Sequence, residues 1–413
     1  MHINIPYCKE QIKLEIPENN LLEIIDRSQD ISSIGLNEKK LINAALKNPI
    51  RCPSLKEIAK GKKDACILVS DITRPCPSYK YLPYLVEELK ESGVKNIVVI
   101  FGLGIHRAHT EEEKIKLIGL EVFKEVEVFD SSELDHKILS HTSFGTPIEI
   151  VNKALKSDLL IATGNIEYHY FAGYSGGAKA VMPGICTRNS IQANHSMMLE
   201  DNACAGNFIN NPVRQDIEEA GKITAIDFIF NVILDDKKNI IAAVAGKNNE
   251  AFIEGIKIYD LLYGITTNKK ADIVITSPGN YPKDINLYQA QKALENVKEI
   301  VKDGGEIILA ASCSEGFGED IFEEWMKDAN NYEKLYKRIK EKFVLGGHKA
   351  VAVSKLMTKA KVSILSDFST QVTSKIGFKN IDNLQKYLNN RIAKEPDLKI
   401  TIVPNGRFIK YIH

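Results

Sequence analysis

Short apolar runs alternate with helical patterns along most of the chain. The runs ACILVS (65–70) and NIVVIF (96–101) have the length and composition of buried strands. Between them, apolar side chains recur at helical spacing: Leu82, Leu85, Val86 and Leu89. Because strands that alternate with helices are typical of α/β domains, the pattern predicts an α/β fold with mainly parallel sheets.

The length of the chain predicts two α/β domains, since 413 residues exceed the size at which one core usually stops growing. A second set of strands and helices begins with ADIVITS (271–277), so we place the boundary near residue 265. The expected domains are 1–265 and 266–413, with the active site in the crevice between them. The last segment, 398–413, could return to the first domain.

Composition excludes several classes of partner. The 54 basic and 54 acidic side chains give no net charge, which argues against nucleic acid and membrane surfaces. The sequence contains no run of about 18 apolar residues, so it predicts no membrane span. The N-terminus, 1–17, alternates as a strand pair would and lacks the plan of a signal peptide. Seven scattered cysteines without a Cys-x-x-Cys pair fit a reducing cytoplasm.

Unusual polar residues follow three of the predicted strands. They occupy 70–75, 102–107 and 164–169, where strands of an α/β sheet end. Ligands of such sheets bind beyond the carboxyl ends of the strands, so the three loops are expected to converge on one crevice. For each loop alone, an ordinary turn with a capping residue is the alternative.

A glycine-rich segment, 171–185, follows the third loop. Gly176 and Gly177 let the backbone approach a ligand, and their amides could hold a phosphate. Lys179 lies among small and apolar residues, where desolvation would lower its pKa and favour covalent attachment. The segment is not a Walker A loop, because alanines flank the lysine. A surface lysine in a flexible loop is the alternative.

Three histidines, His106, His169 and His195, supply imidazoles suited to metal ligation or acid/base work. Each alone would more often be a hydrogen-bonded core or surface residue. His109 precedes a predicted helix start, so we expect a role at that helix N-terminus. In the second half, Gln289 and Lys292 lie three apart on one helix face, which would suit a carboxylate; a solvated face is the alternative.

The motifs as an ordered set are similar to the nickel-dependent lactate racemase family. They are DITRP (71–75), GIHR (104–107), HYFAGYSGGAKAVMPG (169–184), NH (194–195) and YQAQK (288–292). The resemblance runs through nearly the whole chain. It implies an isomerase, a racemase or epimerase that inverts C2 of a small 2-hydroxy acid. Lactate is the default substrate, and malate, longer-chain acids and sugar acids are alternatives.

The resemblance also implies a cofactor, the nickel-pincer nucleotide, which is pyridinium-3-thioamide-5-thiocarboxylic acid mononucleotide with nickel. Lys179 would carry it covalently and His195 would ligate the metal. The nucleotide contacts carried over from the family are Asp71, Thr73, Gly176 and Gly177. Cofactor-synthesis proteins are the implied partners, besides the substrate.

The family's mechanism assigns the remaining residues. His106 and His169 would act as acid and base while the hydrogen on C2 moves as hydride. The carboxylate of the substrate would be held by Arg74, Gln289 and Lys292. The cofactor and catalytic histidines then belong to the first predicted domain, and the C-terminal domain contributes substrate-binding residues.

Four alternatives remain open from the residues. A nicotinamide-dependent dehydrogenase would use Gly102 and Gly104, but Arg107 stands at the third glycine position. A zinc hydrolase would use the three histidines, and a pyridoxal phosphate racemase would use Lys179. A carrier of the pincer cofactor is the non-enzymatic alternative.

Overall fold

The computed structural model describes residues 1–26, 37–74, 76–235, 237–265, 267–344, 346–406 and 410–411. The chain forms two compact units, Asp30–Leu262 and the combination of Met1–Gln29 with Tyr263–His413. The change of unit at residues 262–263 lies close to the boundary expected near 265. The first 29 residues, however, belong with the C-terminal part rather than with 30–262.

The unit Asp30–Leu262 is built on a six-stranded sheet. In spatial order its strands are Ile240–Gly246, Phe228–Leu234, Leu159–Asn165, Asp64–Ser70, Asn96–Gly102 and Glu127–Asp130. The first two strands pair antiparallel, and all other neighbours pair parallel. Their apolar runs are buried on both faces, as expected where helices cover a parallel sheet. The predicted α/β class with mainly parallel sheets is confirmed.

Helices and two hairpins complete this unit. The helices are Glu38–Lys47, Leu55–Ala59, Ser78–Glu91, Glu111–Ile118, Leu120–Glu125, Asn152–Leu155, Arg188–Ser196, Pro212–Ile223 and Asn248–Tyr263. The hairpins pair His136–His141 with Pro147–Val151 and Tyr168–His169 with Gly173–Tyr174. The predicted apolar face of Ser78–Glu91, which carries Leu82 and Leu85, is buried against the sheet.

The second unit also has a six-stranded sheet, here with every pair parallel. In spatial order its strands are Lys379–Asn380, Lys361–Leu365, Val301–Ala310, Ala271–Thr276, Ile400–Val403 and Leu21–Ile24. Its helices are Leu287–Val297, Asp320–Met326, Tyr332–Glu341, Gly347–Lys359, Thr370–Lys375 and Leu384–Lys394. Within the last segment, 398–413, Ile400–Val403 therefore forms a strand of this unit and does not return to the sheet of the first.

The N-terminal residues form the strand pair that their alternation predicts. His2–Tyr7 pairs antiparallel with Glu10–Glu15, and the inward side chains of this hairpin join the core of the second unit. A short parallel pair joins Gly264–Ile265 to Lys410–Tyr411. Within the described ranges, the helices are all too short or too polar to cross a membrane.

Candidate active site

Three neighbouring parallel strands of the unit Asp30–Leu262 carry the polar loops. These strands are Leu159–Asn165, Asp64–Ser70 and Asn96–Gly102. Because parallel strands end at the same edge of a sheet, the loops after them meet at one edge. Asp71 follows one strand directly, and His106 and His169 stand four residues beyond the other two.

Asp71 is the central acceptor of the first loop. Its buried carboxylate accepts, through Oδ1, hydrogen bonds from the amide (2.7 Å) and hydroxyl (2.5 Å) of Thr73. Its Oδ2 lies 2.6 Å from Nδ1 of His106. Burial opposes the charge of Asp71, but the hydrogen bonds with His106 and Thr73 outweigh burial and lower its pKa. The ionised carboxylate therefore accepts from Nδ1 of His106 and fixes the ring.

His109 lies beneath this loop, with its side chain fully buried. Its Nδ1 is 2.6 Å from Oδ1 of Asp130, and its Nε2 accepts from the amide of Ile72 at 3.0 Å. The helix N-terminus is capped instead by Thr110, which accepts from the amide of Glu113. The expectation that His109 serves that helix is wrong, because both of its ring nitrogens face other partners.

The glycine-rich loop packs closely on buried groups that hold its backbone. Gly177 has φ 58°, and a Cβ there would lie 2.9 Å from the ring of Phe252. Its amide donates to Oδ1 of Asn231 at 2.8 Å. Arg214, fully buried and ion-paired with Glu218, donates to the carbonyl of Gly176. The Gly177 amide is thus engaged by protein, so the predicted nucleotide contact through it is not available in this arrangement.

Lys179 lies in this loop with an unusual electrostatic environment. Part of the side chain remains accessible, and its amine has no hydrogen-bond or ion-pair partner among the described residues. Burial lowers the pKa of Lys179 well below its usual range, and the positive charges of Arg74 and Arg214 add to this effect. Glu167 and Asp71 act in the opposite direction. A lowered pKa increases the fraction of the amine in its neutral, nucleophilic form.

Phe171 connects the other two histidines. Its buried ring meets the ring of His169 edge-on at 4.6 Å and that of His195 at 4.8 Å between centroids. The amide of Ala172 donates to Nδ1 of His169 at 3.3 Å. A single aromatic side chain therefore contacts both imidazoles.

The residue before His195 determines how that imidazole is presented. Asn194 is buried and donates through Nδ2 to the carbonyl of Val213 (3.1 Å) and to Asp216 (2.7 Å). Its Oδ1 therefore faces Nδ1 of His195 at 3.0 Å and must be the acceptor. His195 then donates from Nδ1, so that Nε2 is the ring nitrogen that can ligate a metal when the ring is neutral.

Gln289 and Lys292 lie in the other unit, on the helix Leu287–Val297. Nζ of Lys292 donates to Oε1 of Gln289 at 3.0 Å, so the two side chains share one face as their spacing predicts. Both are partly exposed. An ammonium beside an amide offers donors to a carboxylate.

The zinc hydrolase alternative needs several ligands around one ion. Among the residues that the structure describes, no three side chains of His, Cys, Asp or Glu are grouped to hold a metal. The supporting residues that sequence reasoning missed are Asp130, Arg214, Asp216 and Asn231; each acts across a long sequence separation.

The fold and these side chains define an α/β enzyme whose sheet edge brings together imidazoles and a lysine of lowered pKa. Sequence models of two domains match the chain: the lactate racemase N-terminal domain over residues 7–206 and the lactate racemase C-terminal domain over 266–409. The chain belongs to the lactate racemase family and is an isomerase of the racemase type. The predicted family and enzyme class are confirmed.

Two curated relatives are similar over their whole length. The lactate racemase of Thermoanaerobacterium thermosaccharolyticum is 32% identical and that of Lactiplantibacillus plantarum 31%, each with 98% of both chains covered. The solved lactate racemase apoprotein of the former organism superposes with a TM-score of 0.90 at 30% identity, covering both chains fully. A Thermotoga maritima crystal structure, at TM-score 0.64 and 18% identity, covers 91% of this chain and 98% of its own and shares the fold.

Proposed function

We propose that this protein inverts C2 of a small 2-hydroxy acid, with lactate as the first candidate substrate. The observation that carries the proposal is the environment of Lys179, where burial and the charges of Arg74 and Arg214 lower the pKa of the amine, in the same unit as the Asp71 turn that positions His106. Two full-length relatives are named lactate racemase. Malate, longer-chain acids and sugar acids are alternative substrates for the same chemistry.

The residues present fit the nickel-pincer nucleotide. Burial lowers the pKa of the Lys179 amine, which favours covalent attachment, and His195, whose Nδ1 faces Asn194, would offer Nε2 to nickel. Asp71 and Thr73 already bond to each other and to His106, so a nucleotide contact through them would add to those bonds. When bound, the cofactor supplies nickel and an acceptor for the hydrogen on C2. Its supply by dedicated synthesis proteins follows from the same proposal.

His106 and His169 are proposed to move the proton of the substrate hydroxyl. At His106, Nδ1 donates a hydrogen bond to the Asp71 carboxylate, so Nε2 has the lone pair of a general base. The negative charge of Asp71 stabilises the ring once the ring is protonated. At His169 the amide of Ala172 faces Nδ1 instead. That bond, at 3.3 Å, has to open whenever Nδ1 carries a proton. The groups that face Nδ1 of the two imidazoles therefore differ.

Binding of the substrate carboxylate is assigned to Arg74, Gln289 and Lys292. Arg74 has a planar fork that suits a carboxylate, and its backbone amide donates to the Asp71 carbonyl at 3.1 Å. Lys292 and Gln289 are already paired.

Location in the cytoplasm is also proposed, because all seven cysteines are free thiols.

The decisive experiment follows the hydrogen on C2. Protein purified with the cofactor is given enantiopure lactate deuterated at C2 in ordinary water, and other 2-hydroxy acids are screened in parallel. The hydrogen on C2 is proposed to move as hydride, and no imidazole is assigned to remove it as a proton that could exchange with water. We therefore expect the inverted product to keep most of its deuterium. Extensive washout at early conversion would contradict the mechanism. Absence of turnover with every acid would favour the cofactor-carrier alternative.

A further inference from the structure

A buried pair, His109 and Asp130, lies behind the proposed proton-transfer site. Both side chains are fully buried, and the imidazole packs on Phe101 with ring centroids 4.8 Å apart. Besides its contact with the ring, Asp130 accepts from the backbone amide of His109 at 2.7 Å. Nζ of Lys114 lies 3.6 Å from Oδ2 of Asp130 and 2.9 Å from Oε2 of Glu133. The carboxylate thus faces a histidine that is held at two points.

The contacts of His109 fix its protonation. The Ile72 amide can only donate, so Nε2 of His109 must be the acceptor at 3.0 Å. Nδ1 therefore carries the proton and donates to Asp130. A second proton on the ring would set two N–H donors against each other. The imidazole is consequently a neutral bridge between Asp130 and the backbone of the Asp71 loop.

The His109 bridge is connected to the proposed base, His106, through the turn at Asp71–Thr73. Ile72 stands between Asp71 and Thr73, and the turn is closed by the two bonds from Thr73 to Oδ1. With the Ile72 amide held, Oδ2 of Asp71 is directed at Nδ1 of His106. The orientation of the carboxylate therefore depends on where His109 holds the turn.

The end of the strand Glu127–Asp130 also anchors the loop that carries His106. Ser131, next to Asp130, accepts through its hydroxyl from the amide of Leu103 at 3.2 Å. The amide of His106 in turn donates to the Leu103 carbonyl at 3.0 Å. Asp130 and Ser131 thus hold both partners of the hydrogen bond between Asp71 and His106. Asp130 acts on the Asp71 turn through the side chain of His109, and Ser131 acts on the His106 loop through its own hydroxyl.

We infer that His109 and Asp130 are positioning residues for the pair of Asp71 and His106. The inference rests on the proposed function, in which His106 moves the substrate proton. The chemistry expected of the bridge is that of a neutral imidazole with one donor and one acceptor. A glutamine can supply the same two groups, whereas leucine supplies neither.

The test compares His109→Leu and His109→Gln in the cofactor-loaded enzyme. The Leu variant is expected to lose about 100-fold in kcat per bound nickel with little change in KM, because a displaced base slows the reaction more than it weakens binding. The Gln variant should recover most of this loss. His141→Leu, on an exposed strand of the same unit, is the matched control and should behave as wild type.

A double-mutant cycle separates positioning from general stability. If His109 acts through Asp71, adding His109→Leu to Asp71→Asn should cost much less in kcat than it does alone. Full additivity, or an unchanged kcat in the Leu variant, would overturn the inference. Should His109→Leu fail to fold, His109→Asn takes its place, since its shorter amide cannot reach both partners.

Hydrogen exchange tests the bridge without any activity. The Ile72 amide should exchange at least about tenfold faster in His109→Leu than in wild type or in the control. Unchanged protection would refute the bridge even if racemisation were confirmed. Conversely, loss of protection in a protein that racemises no 2-hydroxy acid would leave the bridge standing and refute the proposed function.

Discussion

Replacement of Asp71 by asparagine removes the negative charge that faces His106 and preserves the shape of the side chain. In the wild-type chain, Oδ1 accepts two bonds from Thr73 and Oδ2 lies 2.6 Å from Nδ1 of His106. The asparagine oxygen would keep the Thr73 bonds, so its NH₂ group would face Nδ1. The ring would then be driven to the tautomer with the proton on Nε2, where it cannot accept a proton from the substrate.

The size of the effect follows from the bond that is lost. A hydrogen bond to a charged group contributes about 1.5–3 kcal/mol, and this bond matters most when the His106 ring becomes charged. The same free energy added to the barrier lowers kcat by about 10- to 150-fold. Thr73→Val removes the hydroxyl bond to Asp71 but leaves the carboxylate charge and the backbone amide bond in place, so its expected loss of kcat is smaller than that of Asp71→Asn.

The assay measures racemisation of each enantiomer per bound nickel, with nickel content determined separately. This normalisation distinguishes two roles for Asp71. If Asp71 acts on His106, kcat per nickel falls and nickel content does not. If its main role is to contact the nucleotide, nickel content falls while activity per nickel is unchanged, and the assignment to proton transfer is refuted.

Two further predictions concern the cofactor. Intact-mass analysis of the loaded protein should show a covalent adduct that Lys179→Ala lacks and that Lys222→Ala, on an exposed helix position, retains; the same adduct on the Lys179 variant would contradict the attachment site. Nickel should be lost from His195→Ala but kept by His106→Ala, His169→Ala and the exposed His141→Ala, and loss from all three site variants with the fold intact would favour a shared three-histidine site.

Much of the fold follows from local sequence pattern. The run 65–70 forms the strand Asp64–Ser70, and the helical spacing of Leu82 and Leu85 corresponds to the helix Ser78–Glu91. The placement of the first residues could not be predicted in this way. Leu21–Ile24 pairs with Ile400–Val403, and no local signal reports which strand a distant segment will join. The unit to which residues 1–29 belong is therefore a property of tertiary pairing.

The candidate site likewise contains residues that sequence pattern identifies and residues that it does not. Lys179 and His106 were identifiable because they are reactive residue types in segments that follow predicted strands, whereas the metal role of His195, on the helix Arg188–Ser196, came from the family resemblance. Asn231 was not, since its contact with Gly177 spans 54 residues and asparagine in a strand has no distinctive chemistry. Arg214 opens an ordinary amphipathic helix, and only the fold turns its guanidinium under the glycine-rich loop.

His109 shows how a correct local prediction can still misplace a side chain. The helix start is where the Thr110 and Glu113 capping box predicts it, so the backbone expectation was sound. The ring nevertheless points away from that helix, because Asp130, 21 residues further on, is the stronger partner for a buried imidazole. Local patterns fix the backbone of such a residue more firmly than the destination of its side chain.

The partner of Nδ1 gives each histidine a chemical role that its residue type alone does not. His106 faces a carboxylate, which stabilises a positive ring and so suits a group that accepts a proton. His195 faces the oxygen of a neutral amide, which sets the tautomer without favouring positive charge. An amide oxygen at Nδ1 is compatible with metal ligation, in which Nε2 has to be unprotonated. The different partners of His106 and His195 thus support assigning proton transfer to the first and nickel ligation to the second.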